Sequence, residues 1–266
     1  MNDDKKEADR LEEHTTPRTP VIYETVRRNG EEEMARPAVS LWWSGLAAGL
    51  SISFSVLAQA ILRGHLPEAP WRDLVVALGY PVGFLMVVLA RQQLFTENTI
   101  TVVLPVMAQP NMRNMGRAAR LWGLVLAANL AGTLLAAAFC IFVPAITPET
   151  REQMLAVSRQ ALDYGWMEMG LRAVTAGYLM AAMVWLIPAA GAAQFHVVAL
   201  MTYLIGAGSF PHIVAGSVEA FLLLLNGEFG MAELLGGFAL PALAGNVVGG
   251  TALFAMIAYA QVMKEI

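Results

Sequence analysis

The sequence predicts an all-α membrane protein of six transmembrane helices, arranged as two inverted repeats of three with the second and fifth spans broken. Three observations carry this. Of the 38 Lys, Arg, Asp and Glu side chains, 17 lie in residues 1–38 and only 21 in the other 228. Those 228 residues, in a chain that is 57% apolar, cannot supply the charged exterior of a water-soluble fold. The apolar residues group into six units, each continuous one reaching the ~20 residues that cross about 30 Å of hydrocarbon. Two of the units are interrupted by polar runs at matching places in the two halves, the pattern of a transport site near the membrane midplane.

Residues 1–38 form a charged cytoplasmic N-terminal tail holding 7 basic and 10 acidic residues. Residues 1–20 lack the apolar core of a cleavable signal peptide and read as a disordered acidic tail. In residues 21–37, Val21, Val26 and Met34 suit a short surface helix within a solvated segment; pore blocking or partner binding is the other reading. The transmembrane domain occupies residues 39–262, and residues 263–266 are a cytoplasmic C-terminus.

The first span covers residues 39–62, bounded by Pro37 and Arg63. The second runs over 74–90, is interrupted by the polar residues 91–98, and resumes over 99–108, its halves read as too short to cross alone. The third covers 121–143 and the fourth 168–186, with residues 148–165 between them read as an amphipathic surface stretch. The fifth covers 196–207, breaks at GSFPH (208–212), and continues over 213–226. The sixth covers 234–262. Asn129, Gly132 and Thr133 in the third span match Asn246, Gly249, Gly250 and Thr251 in the sixth, and AlaGly pairs recur at 48–49 and 176–177. Three spans per half, an odd number, make the repeats inverted. Gly45 with Gly49 and Gly245 with Gly249 form GxxxG motifs, read as helix packing.

Lys/Arg counts near span ends give seven on one side (Arg27, Arg28, Arg36, Arg113, Arg117, Arg120, Lys264) and four on the other (Arg63, Arg72, Arg151, Arg159). The richer side faces the cytoplasm, so both termini lie inside. A net charge of −4 leaves no basic field for nucleic acid. The single Cys140 excludes an internal disulfide and a cysteine metal cluster. His14, His65, His196 and His212 have no metal-ligand spacing and no P-loop occurs, so neither cofactor, metal nor enzyme chemistry is expected.

Ionisable groups inside spans are costly and mark function. His212 leads: it sits at the fifth-span break, after Pro211, and titrates near neutral pH in its ordinary state. Thr96, in the opposite break, is in a position to hydrogen-bond it across the pore. Glu219 lies two helical turns after His212 on the same face, either lining that cavity or pairing with Arg91. Glu97 either lines the pore or caps a half-helix. Glu168 and Arg172 are spaced to pair with each other.

The runs YPVGFL (80–85), LFTEN (94–98), FPHIV (210–214) and GNVVGG (245–250) resemble the formate/nitrite transporter family over most of residues 39–262. RQQLFTENT (91–99), PAAGAA (188–193) and HIVAGSVE (212–219) resemble its YfdC-like branch. The resemblance implies an aquaporin-like protomer in a homopentamer of the bacterial inner membrane, each subunit a passive pore for a small monovalent weak acid or anion. It implies that Thr96 and the central His212 flank the constriction, with Leu94, Phe95, Tyr80, Phe84 and Ile205 as apolar gate residues. It also exposes departures. The family's vestibule Lys falls near Ala161, with Arg159 two places away; Pro211 replaces a Glu; Gly177 and Gly216 replace Asn residues. Glu97 and Glu219 are added. A pore that loses a Lys and gains carboxylates keeps a second reading open, a channel for a small cation or neutral solute.

Overall fold

A computed structural model describes residues 17–265; residues 1–16 of the disordered tail expected over 1–20, and Ile266, lie outside the described residues, while Thr19 and Pro20 of that tail begin a helix. Among the described residues all regular structure is helical. Five helices are long and apolar enough to cross a membrane: Ala38–His65, Arg72–Leu89, Met112–Phe142, Trp166–Ala207 and Glu233–Val262. Two shorter apolar helices, Asn98–Ala108 and Ile213–Leu225, complete the set.

Local signals account for the boundaries. Pro37 precedes the first long helix, and Asn111 starts the third by accepting the Asn114 N–H on its side-chain oxygen at 2.9 Å. Thr147 caps the helix Pro148–Leu162 the same way through Thr150 N–H, with proline in the first turn. This helix buries Met154, Leu155, Val157 and Leu162 on one face, in keeping with an amphipathic surface stretch. Gly191, with φ 50°, separates Trp166–Ala190 from Gln194–Ala207.

Two expectations change. The helix Arg72–Leu89 has 18 residues, about 27 Å at 1.5 Å per residue, so the first part of the second unit is not too short to cross. The N-terminal segment is not wholly solvated. Residues Thr19–Ala35 form a 17-residue helix that buries Tyr23, Val26, Gly30 and Met34 against the helix bundle. Val21, which shares the helical spacing of Val26 and Met34, is exposed.

Close approach of the long helices rests on small residues. A Cβ on Gly49 would collide with the Asn129 carbonyl oxygen, and one on Gly177 with that of Asn246. The first long helix therefore lies against the third, and the fourth against the last, at corresponding positions. The glycines of both GxxxG motifs make contacts of this kind within one subunit. Gly177 accordingly has no room for the side chain that the family pattern carries there. Outward, the helices present Trp43, Phe54, Leu78, Leu135, Phe139, Leu171 and Leu200, a broad apolar exterior suited to lipid or neighbouring subunits.

Candidate functional site

The two interrupted segments end their first helices alike. After Leu89, Arg91 takes a left-handed backbone (φ 53°); Gln92 N–H donates to the Val87 carbonyl at 2.9 Å and Arg91 N–H to Val88 at 3.1 Å. After Ala207, Ser209 is left-handed (φ 47°); Phe210 N–H donates to Ile205 at 3.0 Å and Ser209 N–H to Gly206 at 3.1 Å. This is the Schellman pattern. Glycine usually takes the left-handed place, and a side chain there costs about 1–2 kcal/mol.

Beyond each turn the chain runs back into the interior as irregular backbone, whose polar groups must be satisfied by protein. Two asparagines do this. Asn129 accepts Phe95 N–H at 2.9 Å and donates to the carbonyls of Gln93 and Gly45, both at 2.8 Å. Asn246 accepts Ile213 N–H at 2.8 Å and donates to Pro211 at 3.0 Å and Ala173 at 2.8 Å. Each clamp ties a break to two long helices. Their matched places in the chain were visible in the sequence, but their role was not.

The clamped loops bring Thr96 and His212 together. Thr96 Oγ1 lies 2.7 Å from His212 Nε2, and both residues are buried. His212 also caps the helix Ile213–Leu225, its Nδ1 accepting the Ala215 N–H at 3.1 Å. An acceptor at Nδ1 puts the neutral ring's hydrogen on Nε2. Nε2–H then donates to Thr96 Oγ1, which keeps its own hydrogen free for another acceptor. The Phe84 ring stands edge-on to the imidazole at 5.1 Å, with Tyr80 5.1 Å beyond it. Leu94, Phe95, Phe84 and Ile205 are all at most 2% exposed, so the polar pair sits in an apolar layer.

A cavity opens on each side of this layer, and the two share no lining residue. One, about 80 Å³, is lined by His212, Tyr80, Ile205, Glu219 and Gln59, with Asp73 and Gln160 toward its mouth. The other, about 350 Å³, is lined by Glu97, Arg91 and Gln93, and by Asn29, Glu32 and Glu33 of the N-terminal helix.

Tyr80, Ile205, Glu219 and His212 therefore meet in one cavity. Glu97 is in the other, and Thr96, Leu94, Phe95 and Phe84 lie between. Two pairings expected as alternatives do not form. Arg91 and Glu219 line different cavities, so they are not a lock. Glu97 makes no side-chain cap to the helix that follows it, and its Oε1 is buried without a hydrogen-bond partner among the described residues. Glu168 does pair with Arg172, at 2.8 Å. Arg159 turns to Glu228 (2.6 Å) and Glu152 (2.8 Å), and its guanidinium holds the Glu228 carboxyl below the usual carboxylate range. It does not line the His212 cavity, where Ala161 stands. Sequence reasoning missed Gln59, whose only signal was a lone amide in an apolar span. It also missed Asn29, Glu32 and Glu33, because a solvated tail lines nothing.

The family model described as formate/nitrite transporter matches residues 20–260. The chain is 44% identical over 254 residues to the inner membrane protein YfdC of Escherichia coli (strain K12), covering 96% of this chain and 82% of that protein. It is 27% identical to the uncharacterized transporter YrhG of Bacillus subtilis (strain 168), over 92% of this chain and 93% of that one. Among solved structures, an FNT family ion channel superposes with a TM-score of 0.79 at 18% identity, covering 90% of this chain and 98% of that chain. A pentameric formate channel with formate bound gives 0.72 at 16% identity, covering 85% and 98%. The chain belongs to the formate/nitrite transporter family, a family of transporters and channels and not of enzymes.

Proposed function

We propose that this chain is a passive channel or transporter for a small monovalent weak acid or its anion, formate- or nitrite-like, with His212 as proton partner at the constriction. The observation that carries the reading is the buried 2.7 Å contact between Thr96 and His212, set between two cavities. An anion entering an apolar layer loses its hydration at a cost of several kcal/mol or more, and a shared or transferred proton removes most of that cost. The chain Nε2–H to Thr96 Oγ1–H to cargo is a way to share one. Six spans form two inverted repeats in an aquaporin-like protomer, with residues 39–262 as the channel domain. Five protomers assemble in the inner membrane with both termini in the cytoplasm. The repeated turns and asparagine clamps, and the pentameric formate channel among the structural neighbours, support this.

The test is formate and nitrite flux into proteoliposomes. His212→Ala and Thr96→Val are expected to lose at least about tenfold, the scale of a proton-transfer group. Because His212 also caps a helix, His212→Asn is the sharper variant: asparagine caps well but carries no proton. Wild-type flux in His212→Asn would remove the proton-partner role.

A second reading, a channel for a small cation or neutral solute, is favoured by one observation. Glu219 is 5% exposed, and no Lys or Arg lines its cavity. Monovalent cation flux abolished in Glu219→Gln, with no weak-acid flux in the wild type, would select it.

A further inference from the structure

His212 cannot by itself hand over a whole proton from its neutral form. Nδ1 accepts the Ala215 N–H, so it has no hydrogen, and Nε2–H is already directed at Thr96. Losing that hydrogen would leave an imidazolate, and gaining a second one at Nδ1 breaks the helix cap. The ring is built to orient Thr96 and share its hydrogen, and net transfer needs another group.

The cavity supplies a carboxyl. Glu219 lies on the helix that His212 caps, two turns along, and lines the same cavity. It is more than nine-tenths buried, and no described residue donates to or ion-pairs with it. An unpaired carboxylate at membrane depth is costly, and a proton on it removes the charge. Gln59 makes the second, independent observation. It is 8% exposed, lines the same cavity, and its Oε1 is buried with no hydrogen-bond donor among the described residues. An unpartnered acceptor on a residue that lines a cavity suits a cargo that carries an O–H, and a bare anion has none.

We propose that Glu219 is the proton donor of the vestibule and Gln59 the group that recognises the protonated cargo, upstream of the Thr96–His212 pair. The inference rests on the weak-acid reading above. In the step, the O–H bond of Glu219 breaks as an oxygen of the incoming anion takes the proton. Glu219 is left as carboxylate and the cargo as neutral acid, whose new O–H donates to Gln59 Oε1. Water at the cavity mouth then returns a proton to Glu219. His212 stays neutral throughout.

The other titratable groups facing Glu219 are few. His212 and Tyr80 share its cavity, and Asp73 stands at the mouth, held by Arg63 at 3.3 Å and Gln160 at 3.1 Å. On the packed neighbours, Arg159 is engaged by Glu228 and Glu152, and Glu233 accepts the Gly230 N–H at 3.0 Å.

The experiment measures formate uptake and co-entry of protons in proteoliposomes holding a pH-sensitive dye, across external pH. The wild type is compared with Glu219→Gln, Glu219→Asp and Gln59→Leu. Glu219→Gln is expected to lose at least about tenfold of formate uptake at neutral pH. Its deficit should shrink as the external pH falls, because bulk water then delivers the neutral acid. Glu219→Asp, which keeps a carboxyl, should recover much of the neutral-pH rate, and Gln59→Leu should lower uptake at every pH. A merely structural role would lower uptake equally at all pH values and would overturn the proposal, as would wild-type uptake in Glu219→Gln. Should Glu219→Gln fail to fold, Glu219→Asp and Gln59→Leu still decide, a wild-type rate in the latter opposing the Gln59 role. Absence of weak-acid flux in the wild type itself would instead remove the weak-acid reading, a different result.

Discussion

Asn129 and Asn246 show how much structure one amide can hold. Each satisfies one buried N–H and two buried carbonyls at a helix break. An alanine strands the loop N–H and the loop carbonyl, whereas the carbonyls of Gly45 and Ala173 keep the hydrogen bonds of their own helices. Each stranded group costs about 1–3 kcal/mol, so Asn129→Ala and Asn246→Ala are expected to destabilise by about 2 kcal/mol or more, and by similar amounts. Thermal melts of the detergent-solubilised protein check this; a change near zero in either would mean that the loop holds itself. Only Asn246→Ala touches the His212 side of the layer directly, so it should also reduce formate flux more than its melt accounts for. The left-handed Ser209 and Arg91 offer a milder contrast. Ser209→Gly relieves the backbone, whereas Ser209→Val adds a β-branched side chain there and should leave the protein about 1–2 kcal/mol less stable than the glycine variant. His212 and Thr96 were legible in the sequence because a polar residue at a break in an apolar span has few explanations. Gln59 was not, since one amide within a span gives no hint of which cavity it faces.

The N-terminal helix Thr19–Ala35 is the element that sequence periodicity served least. Its buried stripe is Tyr23, Val26, Gly30 and Met34, a narrow face on a helix otherwise rich in charge, and one of its members is a glycine that no hydrophobicity scale counts. A Cβ at Gly30 would collide with the Thr101 carbonyl oxygen. Gly30→Ala therefore raises intrinsic helix propensity by about 1 kcal/mol while pushing the helix off its seat. The expected outcome is faster amide exchange and proteolysis across residues 19–35 with little change in the melt of the bundle. Slower exchange would show that the seat adapts. Acid should act on the same helix. Arg27 and Arg28 hydrogen-bond Glu24 and hold its carboxyl down to about 2. A lowered folded-state value means that the pairing contributes above the ordinary carboxylate range and is lost as pH falls from about 4.5 toward 2. The groups are largely at the surface, so the effect is small, about 0.3–0.5 kcal/mol per pair. Amide exchange in the helix should rise over that window, and Glu24→Gln should flatten the rise.

For the molecule as a whole, the charges at its two ends argue which end faces the cytoplasm. Arg117 donates to the Glu31 carbonyl and Arg120 to that of Arg36, so the start of the third long helix lies beside the N-terminal helix. Val262 packs into the cluster formed by Tyr23 and Val26, so the C-terminal end lies there too. Arg63, Arg72 and Arg159 gather at the opposite end, where Arg63 reaches Asp73 and Gln160, Arg72 bonds Glu68 and the Arg63 carbonyl, and Arg159 bonds Glu228. These basic residues thus fall into the same two groups as in the reading of span ends. That part of the topology was legible because each loop is short and each long helix crosses the bundle. The irregular segments were harder, because whether a polar run leaves the molecule or turns back into it depends on side chains from other helices, here Asn129 and Asn246. Lys and Arg near span ends are retained on the cytoplasmic side, so the N-terminal-helix end should face inward. The buried Cys140 is the sole cysteine, and Cys140→Ala provides a clean background for thiol labelling. In that background Gln109→Cys, exposed at the N-terminal-helix end, should react with a membrane-impermeant maleimide only in inverted vesicles. Glu149→Cys, exposed at the other end, should react in intact cells. The reverse pattern would invert the assignment, and with it the vestibule, lined by Glu219 or by Glu97, that an incoming solute meets first.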